Sequence, residues 1–330
     1  MNTMVAGAKQ SARVSTTRFR VVVTDQVFPS VEIERELLGT IGAEVEVPGG
    51  GREAVLAAAR DADALLNTYL PLDAGFLSQL TRCKIIARYG IGVDNVDLRA
   101  AQDRGIVVTN VPDYCVEEVA EHTLALLLCL LRRIPEGDAV VKAGRWGVDR
   151  LPVRRLSCLT VGLLGYGRIG RQLAQWLRAI GTQILIYDPY VAKADEGEVV
   201  DLDTLLSSSD VVSIHSPLTP KTKGLIGSEQ LAHMRSSAIL INTSRGGVVK
   251  LDDLLQALQE GRLGGAALDV FETEPPPFSR LAATPNLLTT PHVAFYSAEA
   301  VAESQRKAAS QIVKVLSGFK PDYPVTERMD

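Results

Sequence analysis

Short runs of aliphatic and β-branched residues alternate with helical stretches along this chain, and they do so in two separate series. The first offers strands at 19–24, 44–47, 64–67, 84–89 and 106–109, with helices near 31–41, 52–60, 73–80 and 97–104. The second offers strands at 159–164, 183–187, 211–214, 238–242, 266–270 and 287–290. Such alternation calls for parallel sheets, because each helix must carry the chain back before the next strand can pair. Two series predict an α/β protein with two doubly wound parallel-sheet domains.

A long helix is expected from about Val116 to Ile134, followed by an irregular stretch with Gly137, Gly144, Trp146 and Gly147. The last helix, Ala298 to Leu316, carries Val301, Ala308, Ile312 and Val315 at helical spacing. It follows the completed second series, so it is expected to return to the first unit. The second domain (113–296) then reads as an insertion within the first (18–112 with 297–330). The crossings near 112–118 and 292–298 would be hinges for closure around a ligand. Residues 1–17, rich in Ala, Ser and Thr and without an acidic residue, read as a flexible extension.

With 330 residues, 46% hydrophobic and 22% charged, the chain can fill two cores, and its net charge of −4 argues against non-specific nucleic-acid binding. The longest apolar run, Leu124 to Leu131, falls well short of the ~18 residues of a membrane span. Cys83, Cys115, Cys129 and Cys158 show neither metal-ligand nor redox-dithiol spacing, so no metal is expected. No secretory apolar segment opens the chain, and a reducing cytoplasm is the expected compartment. Cys115, the one cysteine expected near a ligand, reads as structural.

Val161-Gly-Leu-Leu-Gly-Tyr-Gly-Arg-Ile-Gly170 is an apolar strand running into a glycine turn and a helix. Gly165 allows the tight turn, Gly167 lets backbone approach a pyrophosphate, and Gly170 lets helix pack on strand. The opening helix would aim its first N–H groups at phosphate. Asp188 closes the next strand, Thr182–Tyr187, where a carboxylate can accept both ribose hydroxyls and repel a 2′-phosphate. The expected cofactor is NAD rather than NADP.

Three further residues stand just beyond strands of the second series: Arg245, Glu274 and His292. The carboxyl ends of strands form the rim of the ligand crevice in an open α/β sheet. A cation, a carboxylate and an imidazole on one rim, behind a dinucleotide loop, suggest hydride transfer involving a carbonyl. In the first series, Arg88-Tyr-Gly-Ile-Gly-Val-Asp-Asn95 ends a strand with two glycines, and its N–H groups could cradle a carboxylate.

Five ordered motifs resemble the D-isomer-specific 2-hydroxyacid dehydrogenase family over about residues 19–320. They are Gly165-Tyr-Gly-Arg-Ile-Gly170, His215-Ser-Pro-Leu-Thr-Pro-Lys-Thr222, Asn242-Thr-Ser-Arg-Gly-Gly-Val-Val249, Leu268-Asp-Val-Phe-Glu-Thr-Glu-Pro275 and Thr290-Pro-His292. The resemblance implies a Rossmann cofactor domain inserted into a flavodoxin-like substrate domain. It implies that Arg245 holds the carboxylate and keto oxygen of a small 2-keto or 2-hydroxy acid. His292 would exchange the proton, and Glu274 would fix its tautomer. Arg168 and Ile169 would join the glycines at the cofactor, with Ser216, Pro217 and Thr222 along its adenine and ribose side. Thr243 and Ser244 would line it, and Asp269 would orient the nicotinamide carboxamide. Gly90, Ile91 and Gly92 would face the substrate.

Arg88, and Phe295 three residues after the histidine, resemble the branch that contains the C-terminal-binding-protein corepressors, in which a tryptophan occupies the latter position. Phe295 would make the substrate pocket apolar and aromatic, which suits an apolar keto acid better than a phosphorylated one. The same branch supplies a rival expectation: an NADH-responsive binding protein with secondary dehydrogenase activity. Finally, Leu124, Leu127, Leu128 and Leu131 exceed what one buried helix face needs, so a homodimer through the cofactor domain is expected, with the stretch around Trp146 wrapping the partner.

Overall fold

A computed structural model describes residues 19–147 and 152–325. The extension expected at 1–17 lies outside the described residues. The chain divides into two units, one ending at Pro112 and resuming at Val301, the other spanning Asp113–Ala300.

The first unit runs β1 (Phe19–Val23), α1 (Glu32–Gly39), β2 (Ala43–Glu46), α2 (Arg52–Ala59), β3 (Ala64–Asn67), α3 (Ala74–Leu77), β4 (Ile85–Arg88), α4 (Leu98–Asp103) and β5 (Val107–Thr109). Its strands pair in parallel in the order β2-β1-β3-β4-β5, the flavodoxin-like arrangement. Strands buried on both faces read as continuous apolar runs, and Val22, Leu65 and Ile86 pack with Phe76, Leu77 and Val108 in one cluster. Asp73 and Asp97 start α3 and α4 by accepting the N–H groups of Phe76 and Ala100.

The second unit begins with α5 (Val116–Arg132) and α6 (Ile134–Lys142). It continues through β6 (Thr160–Leu164), α7 (Arg168–Ile180), β7 (Gln183–Tyr187), β8 (Glu198–Val199), α8 (Leu202–Ser208), β9 (Val211–Ile214) and α9 (Ser228–His233). β10 (Ile239–Asn242), α10 (Leu251–Gln259), β11 (Gly265–Leu268), α11 (Phe278–Ala282) and β12 (Leu287–Thr289) complete it. All its strand pairs are parallel, in the order β12-β11-β10-β9-β6-β7-β8, so the sequence direction reverses between β6 and β9. Helix α7 ends at Gly181, left-handed at φ 89°, as glycine allows. The closing helix α12 (Ala298–Leu316) has Val301, Ala308 and Ile312 buried and Val315 half-buried.

Two sequence expectations are corrected. The helix expected to reach Ile134 stops at Arg132, because Arg133 is left-handed (φ 52°); Pro135 then sits in the first turn of a new helix, α6. Gly137 therefore lies within a helix, not in an irregular stretch. Of the leucines counted as exceeding one buried face, Leu127 and Leu131 are buried in one cluster with Val161, Leu163 and Leu177 of their own unit, whereas Leu128 is exposed. The two-residue edge strand β8 has too little pattern to be read from sequence.

Candidate active site

The three rim residues of the second unit are held by backbone devices that begin in the strands themselves. Asn242, the last residue of β10, is fully buried. Its amide donates to the Arg245 carbonyl at 2.9 Å, and its Oδ1 accepts from the N–H and hydroxyl of Ser244 at 3.1 and 3.0 Å. This wraps the turn that presents Arg245. The next residue, Gly246, lies so close to the Phe271 backbone that a Cβ there would overlap it. The Arg245 turn thus rests directly on the turn that follows β11. In that second turn the Phe271 N–H donates to Glu274 Oε1 at 3.0 Å, leaving Oε2 to accept from His292 Nδ1 at 2.7 Å.

His292 itself is left-handed (φ 54°), an uncommon conformation for a residue with a Cβ. Asp269, fully buried at the end of β11, holds it there. Its carbonyl accepts the His292 N–H at 2.8 Å, and its carboxylate accepts the N–H groups of Val293 and Ala294, both at 2.9 Å, and the Thr290 hydroxyl at 2.6 Å. Three donors on one carboxylate make Asp269 chiefly the clamp of this loop. Phe295 stands edge-on to the imidazole, with ring centroids 6.2 Å apart.

Opposed influences act on the Glu274 carboxyl. Burial pushes its pKa up and is the largest single one. The His292 hydrogen bond, the Phe271 N–H and the charges of His292 and Arg245 together outweigh it, and the net position is below the ordinary 4.5. Its stabilising contribution is therefore complete above 4.5 and fades as pH falls through the depressed value. A glutamate kept ionised is a strong acceptor for the His292 Nδ1–H. Glu274→Gln is expected to lower kcat for carbonyl reduction about ten-fold or more, because a neutral amide holds the imidazole Nδ1–H less firmly than a carboxylate does. A wild-type kcat would remove Glu274 from the pair.

On the same sheet, the residues between β6 and α7 form a cradle. Gly165 (φ 101°) lies where a Cβ would press on the His215–Ser216 backbone, and Gly170 where one would lie 2.6 Å from the Gly165 carbonyl oxygen. At Gly167 a Cβ would meet nothing within 4 Å, so that face of the turn is open. Arg168 and Ile169 begin α7, whose first N–H groups lack helical partners. Asp188 is oriented by the Tyr166 and Tyr190 N–H groups at 2.8 and 2.9 Å, one on each oxygen, which leaves lone pairs for a diol. Among the described residues, the buried hydroxyl of Ser216, after β9, has no hydrogen-bond partner. An open glycine turn, an oriented acid and an orphaned hydroxyl at one sheet edge fit a dinucleotide.

Other predicted cofactor residues are committed to the protein. The Thr222 hydroxyl braces the carbonyl of Pro217, and Thr243 is buried with its hydroxyl 2.8 Å from that of Thr123. Burial pushes the His215 pKa down to about 4, so this histidine is a neutral packing residue. Burial likewise pushes the Cys115 thiol up to about 12, which excludes a ready thiolate.

In the first unit, Arg88 closes β4 with its guanidinium folded against Gly90 and its Nε donating to Asn95 at 2.9 Å. Gly90 and Ile91 use their carbonyls to accept from Val111 and Asn110. Among the described residues, no acceptor is found for the N–H groups of Gly90, Ile91 and Gly92. Asn242, Gly246 and the clamping role of Asp269 were not read from sequence. The Gly246–Gly247 pair after Arg245 was the available signal.

Among the described residues there is neither a helix long and apolar enough to cross a membrane nor a cluster suited to a metal ion.

The sequence profile of the D-isomer-specific 2-hydroxyacid dehydrogenase NAD-binding domain matches residues 124–294. The D-3-phosphoglycerate dehydrogenase of Methanocaldococcus jannaschii is 39% identical over 306 residues, 91% of this chain and 58% of that protein. The glyoxylate reductase of Thermofilum pendens is 38% identical over 91% of this chain and 92% of its own. A D-lactate dehydrogenase from Aquifex aeolicus, solved with NAD and lactic acid, superposes with a TM-score of 0.84 at 30% identity, covering 91% of this chain and 96% of that one. The chain belongs to the D-isomer-specific 2-hydroxyacid dehydrogenase family, and its second unit is that family's NAD-binding domain. It spans little more than half the length (54–58%) of the phosphoglycerate dehydrogenases that it matches.

Proposed function

We propose that this protein interconverts a small 2-keto acid and the corresponding D-2-hydroxy acid with NAD(H). The observation that carries the reading is the His292–Glu274 pair at 2.7 Å, on the same sheet edge as Arg245 and the dinucleotide cradle. Gly165, Gly167, Arg168, Ile169, Gly170, Asp188 and Ser216 would hold the cofactor, which when bound supplies or accepts the hydride. Pro217, Thr222, Thr243 and Ser244 shape its surroundings.

Glu274 accepts a hydrogen bond from the His292 Nδ1–H, so Nε2 is the nitrogen assigned to the substrate oxygen. In reduction the imidazolium gives its Nε2 proton to the carbonyl oxygen as C2 gains hydride; in oxidation neutral Nε2 takes the hydroxyl proton. Arg245 binds the carboxylate and keto oxygen through a fork that stays charged throughout. The loop Gly90–Ile91–Gly92, with Arg88, offers N–H groups for a carboxylate, and the Phe295 ring favours an apolar side chain over a phosphorylated one. A second copy of the chain, in a reducing cytoplasm, is the partner proposed for α6 and the segment after it, where Ile134, Val141 and Trp146 are exposed.

A panel of glyoxylate, pyruvate, hydroxypyruvate, its phosphorylated form and longer apolar keto acids, assayed with NADH, tests this reading. Turnover is expected, strongest on an unphosphorylated member. Tight NADH binding with no turnover on any member would favour the binding-protein alternative.

A further inference from the structure

We propose that His122 and Glu118, one turn apart on α5, are positioning residues that hold the acid–base histidine from both ends of its loop. The proposal rests on the reading of His292 as the proton donor. At one end, His122 Nε2 lies 3.0 Å from the Thr290 hydroxyl, which is itself 2.6 Å from Asp269 Oδ1. An ionised carboxylate only accepts, so the single Thr290 hydroxyl proton goes to Asp269. Thr290 must then accept from His122, which fixes the proton on His122 Nε2. The chain His122 N–H to Thr290 O–H to Asp269 carboxylate is directional, and each bond polarises the next. It ends on the group that takes the N–H groups of Val293 and Ala294 and whose carbonyl takes that of His292.

At the other end, Glu118 accepts the Ser297 hydroxyl at 2.7 Å. Ser297 in turn accepts the Ala300 N–H at 2.9 Å, as the N-cap of α12. Positions four apart share one helix face, so a single face of α5 holds residues 290 and 297, with His292 and Phe295 between them. Thr123, on the neighbouring face, reaches Thr243 in the Arg245 turn at 2.8 Å. One rigid helix thereby references the acid–base and arginine turns. A left-handed His292 needs such outside support, because its local backbone preference opposes the conformation.

The test compares His122→Leu, which fills the space without a donor, with His122→Gln, which keeps an N–H near the Nε2 position. Glu118→Leu and Glu118→Gln form the matching pair at the other end. His122→Leu is expected to lower kcat for keto-acid reduction about ten-fold, since small misplacements of a proton donor are costly, with the KM for NADH unchanged. His122→Gln should recover most of the loss.

The chain has four histidines, so ring-labelled protein gives a countable set of NMR signals. The His292 signal should shift in His122→Leu and return in His122→Gln, while those of His215 and His233 stay in place. A wild-type kcat and an unmoved His292 signal in His122→Leu would overturn the proposal, as would equal damage from both variants. If wild type reduces no keto acid, the reaction assignment fails, and the His292 signal alone then decides the positioning role. If His122→Leu does not fold, Thr290→Val and Thr290→Ser decide: loss in the first and retention in the second support the relay, and equal behaviour refutes it.

Discussion

His292→Gln is expected to lower kcat for keto-acid reduction by about 10²–10⁴-fold, the usual worth of a positioned general acid. The Kd for NADH, read by fluorescence titration, should stay near wild type, because His292 lies beyond the cradle built from Gly165, Asp188 and Ser216. Glutamine keeps a polar group of similar reach but cannot release a proton at neutral pH. Equal losses in turnover and NADH affinity would make His292 a structural residue whose bond to Glu274, at 2.7 Å, simply closes a loop.

Gly246→Ala is expected to be nearly as damaging, although residue 246 carries no chemistry. An added Cβ would overlap the backbone of Phe271, and backbone cannot swing aside as a side chain can. The Arg245 turn and the Glu274 turn would have to separate. Overpacking of this kind costs about 1–3 kcal/mol of stability. Displacing Arg245 by about 1 Å should cost on the order of 100-fold in kcat/KM. Gly247→Ala is the internal control, because a Cβ there meets only the flexible end of the Leu218 side chain, at 3.2 Å. Denaturant melts and kcat/KM should separate the two variants clearly. Similar behaviour of both would mean that the contact between the turns is not what places Arg245.

Gly246 also marks the limit of what was legible in the sequence. The strands were legible because parallel strands buried on both faces leave apolar runs, and 64–67, 183–187 and 211–214 appear with the expected bounds. The candidate trio was legible because strand ends are rims, and each member follows a strand by three to six residues. What holds the trio was not legible. Asp269 reads as one acid within a motif, and nothing local reveals that three donors converge on its carboxylate. His122 and Thr290 are separated by 168 residues, a pairing that only the fold creates. Helix α6 was missed for a different reason: Gly137 reads as a breaker, yet it lies inside Ile134–Lys142. Which of the α5 leucines meet their own sheet was not legible, because an apolar count on a helix does not say which face packs inward.

The reading of Phe295 depends on geometry that the structure supplies: an edge-on ring 6.2 Å from the His292 ring and 6.4 Å from that of Tyr114. In the proposed reaction, an aromatic ring beside His292 would favour an apolar substituent on the keto acid.

The most direct test of the account is the handedness of the product. Purified protein is incubated with NADH and the best keto acid of the panel, and the hydroxy acid is resolved by chiral chromatography. Formation of the D-hydroxy acid alone is the predicted result, with the amount matching the NADH consumed. The L-enantiomer or a racemate would contradict the proposed placement of Arg245, His292 and the dinucleotide cradle around one carbonyl.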